Sequence, residues 1–121
     1  MRVAIVGSRD YSPLSDVVDY VRSLPDDTVI ITGGARGVDQ IAESEALARG
    51  LEVVVHLPDW AKYGKSAGMI RNRVVVDDCE KLKAFWDQVS PGTKGVIAMA
   101  AKAGKLEKVS RCGNPRQGSL F

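Results

Sequence analysis

Thr32-Gly33-Gly34-Ala35-Arg36-Gly37-Val38-Asp39 is the stretch that decides how this chain reads. It follows a short apolar run, Thr28-Val29-Ile30-Ile31, with the composition of a buried strand. It precedes Gln40 to Arg49, where Ile41, Ala42, Ala46 and Leu47 fall with Val38 on one helical face, and Gly50 supplies the C-terminal cap. A glycine-rich turn from a parallel strand into a helix N-terminus holds phosphate for two reasons. Glycines let the backbone approach an anion closely, and the unpaired N–H groups and dipole of the helix favour negative charge. Arg36 adds a cation inside the turn. The first expectation is therefore a phosphate-bearing ligand.

Outward from this turn the chain alternates strand and helix. Arg2 to Val6 is a continuous apolar strand ending at Gly7, suited to a parallel sheet covered on both faces. Ser15 to Leu24 reads as a helix, Glu52 to Leu57 as the third strand, and Pro58 to Ser66 as a polar loop. Ala67 to Asp78 reads as a helix despite Val74-Val75-Val76, and Lys81 to Trp86 as the fourth strand. Ser90 to Thr93 reads as a turn, Lys94 to Ala103 as a short helix and Leu106 to Ser110 as an edge strand. Right-handed crossovers on short loops then give an α/β fold: a three-layer, Rossmann-like, doubly wound parallel sheet of about five strands in the order 3-2-1-4-5. The expected organisation is one domain over residues 1–110 and a flexible tail over 111–121.

That topology brings the turns after strands one to four to one crevice, where strand order reverses. They contain Gly7-Ser8-Arg9-Asp10-Tyr11, Gly33 to Asp39, Pro58-Asp59-Trp60 and Ser90 to Gly95, the last with Gly92 and Thr93. Ser8 donates from hydroxyl and backbone, Arg9 and Arg36 offer bidentate contacts to phosphate, and Trp60 and Tyr11 offer flat faces to a base. Singly, each has a bland reading, since loop arginines are usually solvated and a lone Trp usually packs. The third helix adds Lys65, Ser66 and Gly68 at its start, then Arg71-Asn72-Arg73. Cations so early in a helix oppose its dipole unless an anion faces them. Alternatively Arg71 and Asn72 bond backbone carbonyls and lock loops together.

These motifs, in this order, resemble the SLOG superfamily, the Rossmann-like group that holds DprA and the lysine-decarboxylase-like LOG proteins, and within it the small YspA/YpsA-related branch. The resemblance runs over roughly residues 2 to 110. It implies a domain that binds a nucleotide or a nucleotide-derived, ADP-ribose-like ligand, often as a homodimer, in the role of sensor or nucleotide-processing enzyme. Gly7 and Arg9, Gly33 to Asp39, and Arg71-Asn72-Arg73 answer to the Gly-x-Arg, Gly-x-Ala-x-Gly-Ile-Asp and Arg-Asn-Arg segments of DprA, which binds single-stranded DNA. LOG enzymes carry Pro-Gly-Gly-x-Gly-Thr-x-x-Glu. Here Pro91 to Ala98 occupies that region, and Ala98 stands where the carboxylate belongs.

No catalytic residue follows from the sequence. Asp39 reads either as a ligand to a ribose hydroxyl or a base, or as an early helical acid satisfying backbone N–H groups; its position favours the second. His56 is the sole histidine, and Cys79 and Cys112 show neither metal-ligand spacing nor a disulfide framework, so no metal site is expected. Three functions remain open: a nucleotide-binding sensor or sequestering module, a nucleotide-processing hydrolase, and a single-stranded-DNA binder. No cofactor beyond the nucleotide ligand is implied.

Formal net charge is +2, too small to argue nucleic-acid binding from the total. From Lys102 onward, however, Lys102, Lys105, Lys108, Arg111 and Arg116 face only Glu107. The chain ends Gln117-Gly118-Ser119-Leu120-Phe121. That peptide looks like the bacterial sliding-clamp-binding motif, with Leu120 and Phe121 filling an apolar pocket and Gln117 bonding its rim. The alternative is that Leu120 and Phe121 dock on the domain's own core. No membrane span or signal peptide is read in the sequence, and a cytoplasmic location is expected.

Overall fold

The computed structural model describes residues 1–113; Gln117, Leu120 and Phe121 lie outside them. Five parallel strands, β1 (Arg2–Gly7), β2 (Val29–Thr32), β3 (Glu52–Val55), β4 (Lys81–Trp86) and β5 (Ser110–Arg111), form one sheet in the order β3-β2-β1-β4-β5. The helices are α1 (Ser15–Arg22), α2 (Val38–Ala48), α3 (Trp60–Tyr63), α4 (Ala67–Asp78) and α5 (Pro91–Lys102), with a 3-10 turn, Gly64–Ser66, between α3 and α4. The expected fold class and strand order are the observed ones. None of the described helices is long and apolar enough to cross a membrane.

Alternation along the strands sorts the side chains into two cores. Val3 and Ile5 of β1, Ile30 of β2 and Phe85 of β4 pack with Val17 and Val21 of α1 and Val38, Ala42 and Ala46 of α2. Ala4, Val6, Ile31, Leu82 and Ala84 point the other way, onto Val75 and Val76 of α4 and Val96 and Ala100 of α5. This second core explains why α4 accepts three consecutive valines. Val75 and Val76 are buried against the sheet, and that packing outweighs their weak helix propensity; Val74 stays exposed.

Three local features differ from the sequence reading. The polar loop contains α3, which buries no residue and therefore carries no apolar period; Asp59 caps it by accepting from the Lys62 N–H at 3.0 Å. Helix α5 starts at Pro91 rather than Lys94, because proline fits the first helical position as well as a turn. The expected edge strand at 106–110 is interrupted. Leu106 bridges Leu82, but the next pairing is Phe85 with Ser110, so the edge carries one residue more than β4 between the two. Lys83 holds the mismatch, its Nζ donating to the Lys108 carbonyl at 2.7 Å and the Ser110 hydroxyl at 2.8 Å. Its ammonium also stands 5.1 Å over the Phe85 ring and 5.6 Å over Tyr20.

Phe85 thus joins a core, two edge-to-face aromatic contacts, with Tyr11 and Tyr20, and the lysine that holds the sheet edge. Phe85→Ala is expected to cost about 3–5 kcal/mol, at the upper end for a core truncation, read as a lower urea midpoint.

Candidate phosphate-binding cleft

Strand order reverses between β1 and β4: the chain leaves β1 toward β2 and leaves β4 toward β5. The connections on either side are thereby driven apart at the carboxyl ends of the strands, which is where doubly wound folds open a crevice. A cleft of about 290 Å³ lies there. Its walls are Gly7 to Asp10 after β1, Gly33, Ala35 and Asp39 of the glycine turn, Arg71 and Asn72 of α4, and Ser90, Gly92 and Thr93 at the start of α5. As in any helix, the first-turn N–H groups of α5 lack intrahelical acceptors, so Gly92 and Thr93 bring partial positive charge to the cleft.

The glycine turn is held from inside. The Asp39 carboxylate, 3% exposed, accepts the Gly33 N–H at 3.0 Å and the Ala35 N–H at 3.2 Å, both through Oδ2. Those two amides are therefore already occupied by an internal anion. Burial pushes the Asp39 carboxyl up to about 6, although the two N–H bonds and the nearby Arg71 cation oppose that rise and the Glu43 charge adds to it. Gly37, at φ +83°, lies so close to the β1 loop that a Cβ would stand 2.8 Å from the Arg9 carbonyl oxygen. The turn and the Arg9 loop are thus packed backbone to backbone.

On the opposite wall Ser8 is 2% exposed. Its hydroxyl donates to the Thr93 Oγ1 at 3.2 Å and accepts the Asp87 N–H at 3.1 Å, tying β1, β4 and α5 together. Asp87, which sequence reasoning passed over, shapes this corner. It accepts the N–H groups of Val89 and Ser90 and the Ser90 hydroxyl. Burial raises its pKa, but these bonds outweigh burial and leave the carboxyl below its ordinary value. The signal for it was a Ser three residues after an Asp, an Asx-type turn ahead of Pro91.

Two guanidinium groups border the cleft, and they differ. Arg9 is exposed. Arg71 is half-buried, its Nη1 donates to the Gly33 carbonyl and its Nε to the Asn72 Oδ1 at 2.9 Å. Arg71 thus does lock a loop, while still lining the cleft. Gly7, Ser8, Arg9, Gly33, Ala35, Asp39, Arg71, Asn72, Gly92 and Thr93 come together around the cleft. Gly34, Arg36, Gly37, Trp60, Lys65, Ser66 and Gly68 do not line it. Arg36 is exposed. Trp60 opens α3 beyond the end of β3, a strand separated from β1 by β2. Tyr11 is not a stacking face: it is buried, donates to the Asp16 Oδ2 at 2.7 Å and packs edge-on to Phe85. Asp10 and Ser90, expected in the turns after β1 and β4, line it as well, and Val6, Val75 and Val96 complete the lining unforeseen.

Asp39 binds its proton more tightly in the folded state than its ordinary value of 3.8 allows in the unfolded one. This contribution is fully present below about pH 4 and lost as pH rises through about 6. Asp39→Asn keeps an oxygen for both N–H groups and removes the titration. Relative to the variant, the wild type is expected to lose on the order of 2–3 kcal/mol between those pH values, measured by urea unfolding.

The comparisons with known proteins agree with this architecture. The chain matches the YspA, cpYpsA-related SLOG family over residues 1–63. It is 35% identical to the Gene 61 protein of Mycobacterium phage D29, over 85% of this chain and 90% of that one. DNA processing protein A from Helicobacter pylori, whose structure addressed its single-stranded DNA binding mode, superposes with a TM-score of 0.73 at 24% identity, over 88% of this chain and 63% of that one. DprA from Streptococcus pneumoniae gives a TM-score of 0.76 at 21% identity, over 97% of this chain and 52% of that one. At these identities the likeness is one of fold, and this chain spans about half to three-fifths of those two proteins. The match over residues 1–63, more than half of the chain, makes it a member of the YspA, cpYpsA-related SLOG family.

Proposed function

We propose that the cleft between β1 and β4 binds the phosphate of a nucleotide-type ligand, and that the protein acts as a binding module, a sensor or sequestering domain. The observation that carries this is convergence. The α5 N-terminus, Arg9, Arg71 and Asn72 face one cleft from three separate connections. Its volume of about 290 Å³ lies at the small end for ligand sites and suits one nucleotide unit rather than an enclosed dinucleotide.

Binding is favoured over hydrolysis because most reactive groups at the cleft are engaged elsewhere; Asp10, exposed on its wall, is held by no hydrogen bond among the described residues. The Ser8 hydroxyl is tied to Thr93 and Asp87, the Asp39 Oδ2 to Gly33 and Ala35, and Ala98 is exposed on α5 and outside the cleft. His56 bonds Asp78 at 2.7 Å. Ser90 lines the cleft and donates its hydroxyl to Asp87, but that carboxyl also accepts the Val89 and Ser90 N–H groups, which hold it below its ordinary value and make it a weak base.

A second reading has its own support. The Helicobacter pylori protein of the same fold binds single-stranded DNA, and an exposed Arg9 beside an open cleft suits a phosphate in a continuous strand as well as a free one. The C-terminal peptide Gln117 to Phe121, outside the described residues, is proposed as a tether to a bacterial sliding clamp.

Calorimetry against a panel of mononucleotides, ADP-ribose and thymidine oligonucleotides tests the main reading. Arg9→Ala is expected to weaken binding about tenfold with little change in unfolding midpoint, because the side chain is exposed and its loss removes one charge-assisted contact. Absence of binding below millimolar across the panel rejects the reading. Deleting Leu120 and Phe121 is expected to abolish capture by an immobilised sliding clamp; undiminished capture rejects the tether.

A further inference from the structure

The turn that carries Arg9 to the phosphate cleft also carries a carboxylate. The Tyr11 N–H donates to the Ser8 carbonyl at 3.2 Å, closing a tight turn with Arg9 and Asp10 at its two corners. Both ends of that turn are anchored. Ser8 is 2% exposed and its N–H donates to the Phe85 carbonyl at 2.9 Å; Tyr11 is 3% exposed and bonded to Asp16. Buried ends leave the corners outward, and Arg9 and Asp10 are both exposed where they line the cleft. Among the described residues neither joins an ion pair, with the other or with any third group. A cation and an anion fixed on adjacent corners, each without a partner, match a ligand that is anionic at one point and donates hydrogen bonds beside it.

The rest of the cleft repeats this pairing. Asp39 lines it, and both of its backbone bonds go to Oδ2; Oδ1 accepts no hydrogen bond among the described residues. Arg71 is the second cation. Two guanidinium groups and two carboxylates balance in charge, which leaves the first-turn N–H groups at Gly92 and Thr93 as the surplus. That surplus suits one phosphate and opposes a chain of them. The carboxylate oxygens, in turn, serve only a hydroxyl or amino donor.

Nothing in the lining suits a base. Among the described residues that form it none is aromatic: Tyr11 is packed in the core, and Trp60 lies outside. The apolar part is Val6, Val75 and Val96, which offer a ring of C–H groups a surface but no face to stack on. The volume of about 290 Å³ falls just under the range of about 300–1,000 Å³ in which sites enclose most of a drug-sized ligand. A sugar phosphate meets all of these constraints together.

We propose that the cleft recognises the ribose 5-phosphate part of its ligand and not the base, with Asp10 as the specificity-determining residue that accepts from the vicinal ribose hydroxyls, an inference that rests on the phosphate reading of the cleft. The phosphate is held by Arg9 and the start of α5, and the base is left to solvent. Of the two carboxylates Asp10 is the exposed one, so both of its oxygens are open to a ligand, whereas Asp39 is 3% exposed and half committed to the glycine turn. Two oxygens bond two adjacent hydroxyls, and a deoxyribose leaves one of them unanswered. The same charge repels the further phosphates of a nucleoside triphosphate.

The test is calorimetry of the full chain with AMP, dAMP, UMP, ATP and ribose 5-phosphate. Wild type is expected to bind AMP, UMP and ribose 5-phosphate within about threefold of one another, as an unread base requires. AMP is expected to bind about tenfold more tightly than dAMP, the effect of one hydrogen bond to a charged group, and ATP no more tightly than AMP. Asp10→Ala is expected to bind AMP and dAMP equally and to gain affinity for ATP, with no change in unfolding midpoint. Asp10→Asn, which keeps one acceptor oxygen without the charge, is expected to gain the same affinity for ATP while retaining part of the preference for AMP. Equal wild-type affinities for AMP and dAMP, an Asp10→Ala variant that still prefers AMP, or ribose 5-phosphate more than tenfold weaker than AMP overturns the proposal. If AMP and dAMP bind equally and Arg9→Ala weakens both, the cleft reading stands and this one falls; if no member of the panel binds, both fall.

Discussion

Strand β1 is the element on which the rest of the structure depends. Val3, Ala4, Ile5 and Val6 are buried on both faces of the sheet, and β1 pairs with β2 on one side and β4 on the other. A strand that feeds both cores cannot slip by one residue without exchanging Val3 and Ile5 for Ala4 and Val6, and so misfilling each layer. With register set in this way, the connections after β1 and β4 must part, and the cleft is the space they leave.

Around that cleft, the chain uses its own anion before any ligand arrives. Asp39 neutralises two glycine-turn amides from within, and Arg71 closes the same turn from outside through the Gly33 carbonyl. The turn is therefore a preformed wall rather than a loose cradle. Across the cleft, the first turn of α5 offers N–H groups without intrahelical acceptors and Arg9 offers an exposed charge.

The buried lysine and the α3 segment show two ways in which the sheet's edges are finished. On one side Lys83 spans the extra residue between Leu106 and Ser110 and covers a short, irregular edge. On the other, β3 remains half-exposed, and α3 and α4 flank it with aromatic, aliphatic and basic side chains. The contrast leaves Leu57, Trp60 and Tyr63 exposed on the β3 side.

Much of this was legible in the residues alone. Apolar runs of strand length, a glycine turn before a helical period, and alternation of strands with helices point to a parallel sheet with right-handed crossovers, and the doubly wound order expected for it is the observed one. They also place the turns after β1, β2 and β4 at one end of the sheet. What they could not determine is which way each polar group faces. Whether Asp39 and Arg71 meet a ligand or their own backbone, whether Tyr11 stacks or is buried, and whether Trp60 shares the cleft or lies two strands away all depend on side-chain direction and lateral distance across the sheet. Local sequence carries periodicity, which records burial; only the tertiary structure sets the distances between residues far apart in the chain, and those distances decide which donors remain free.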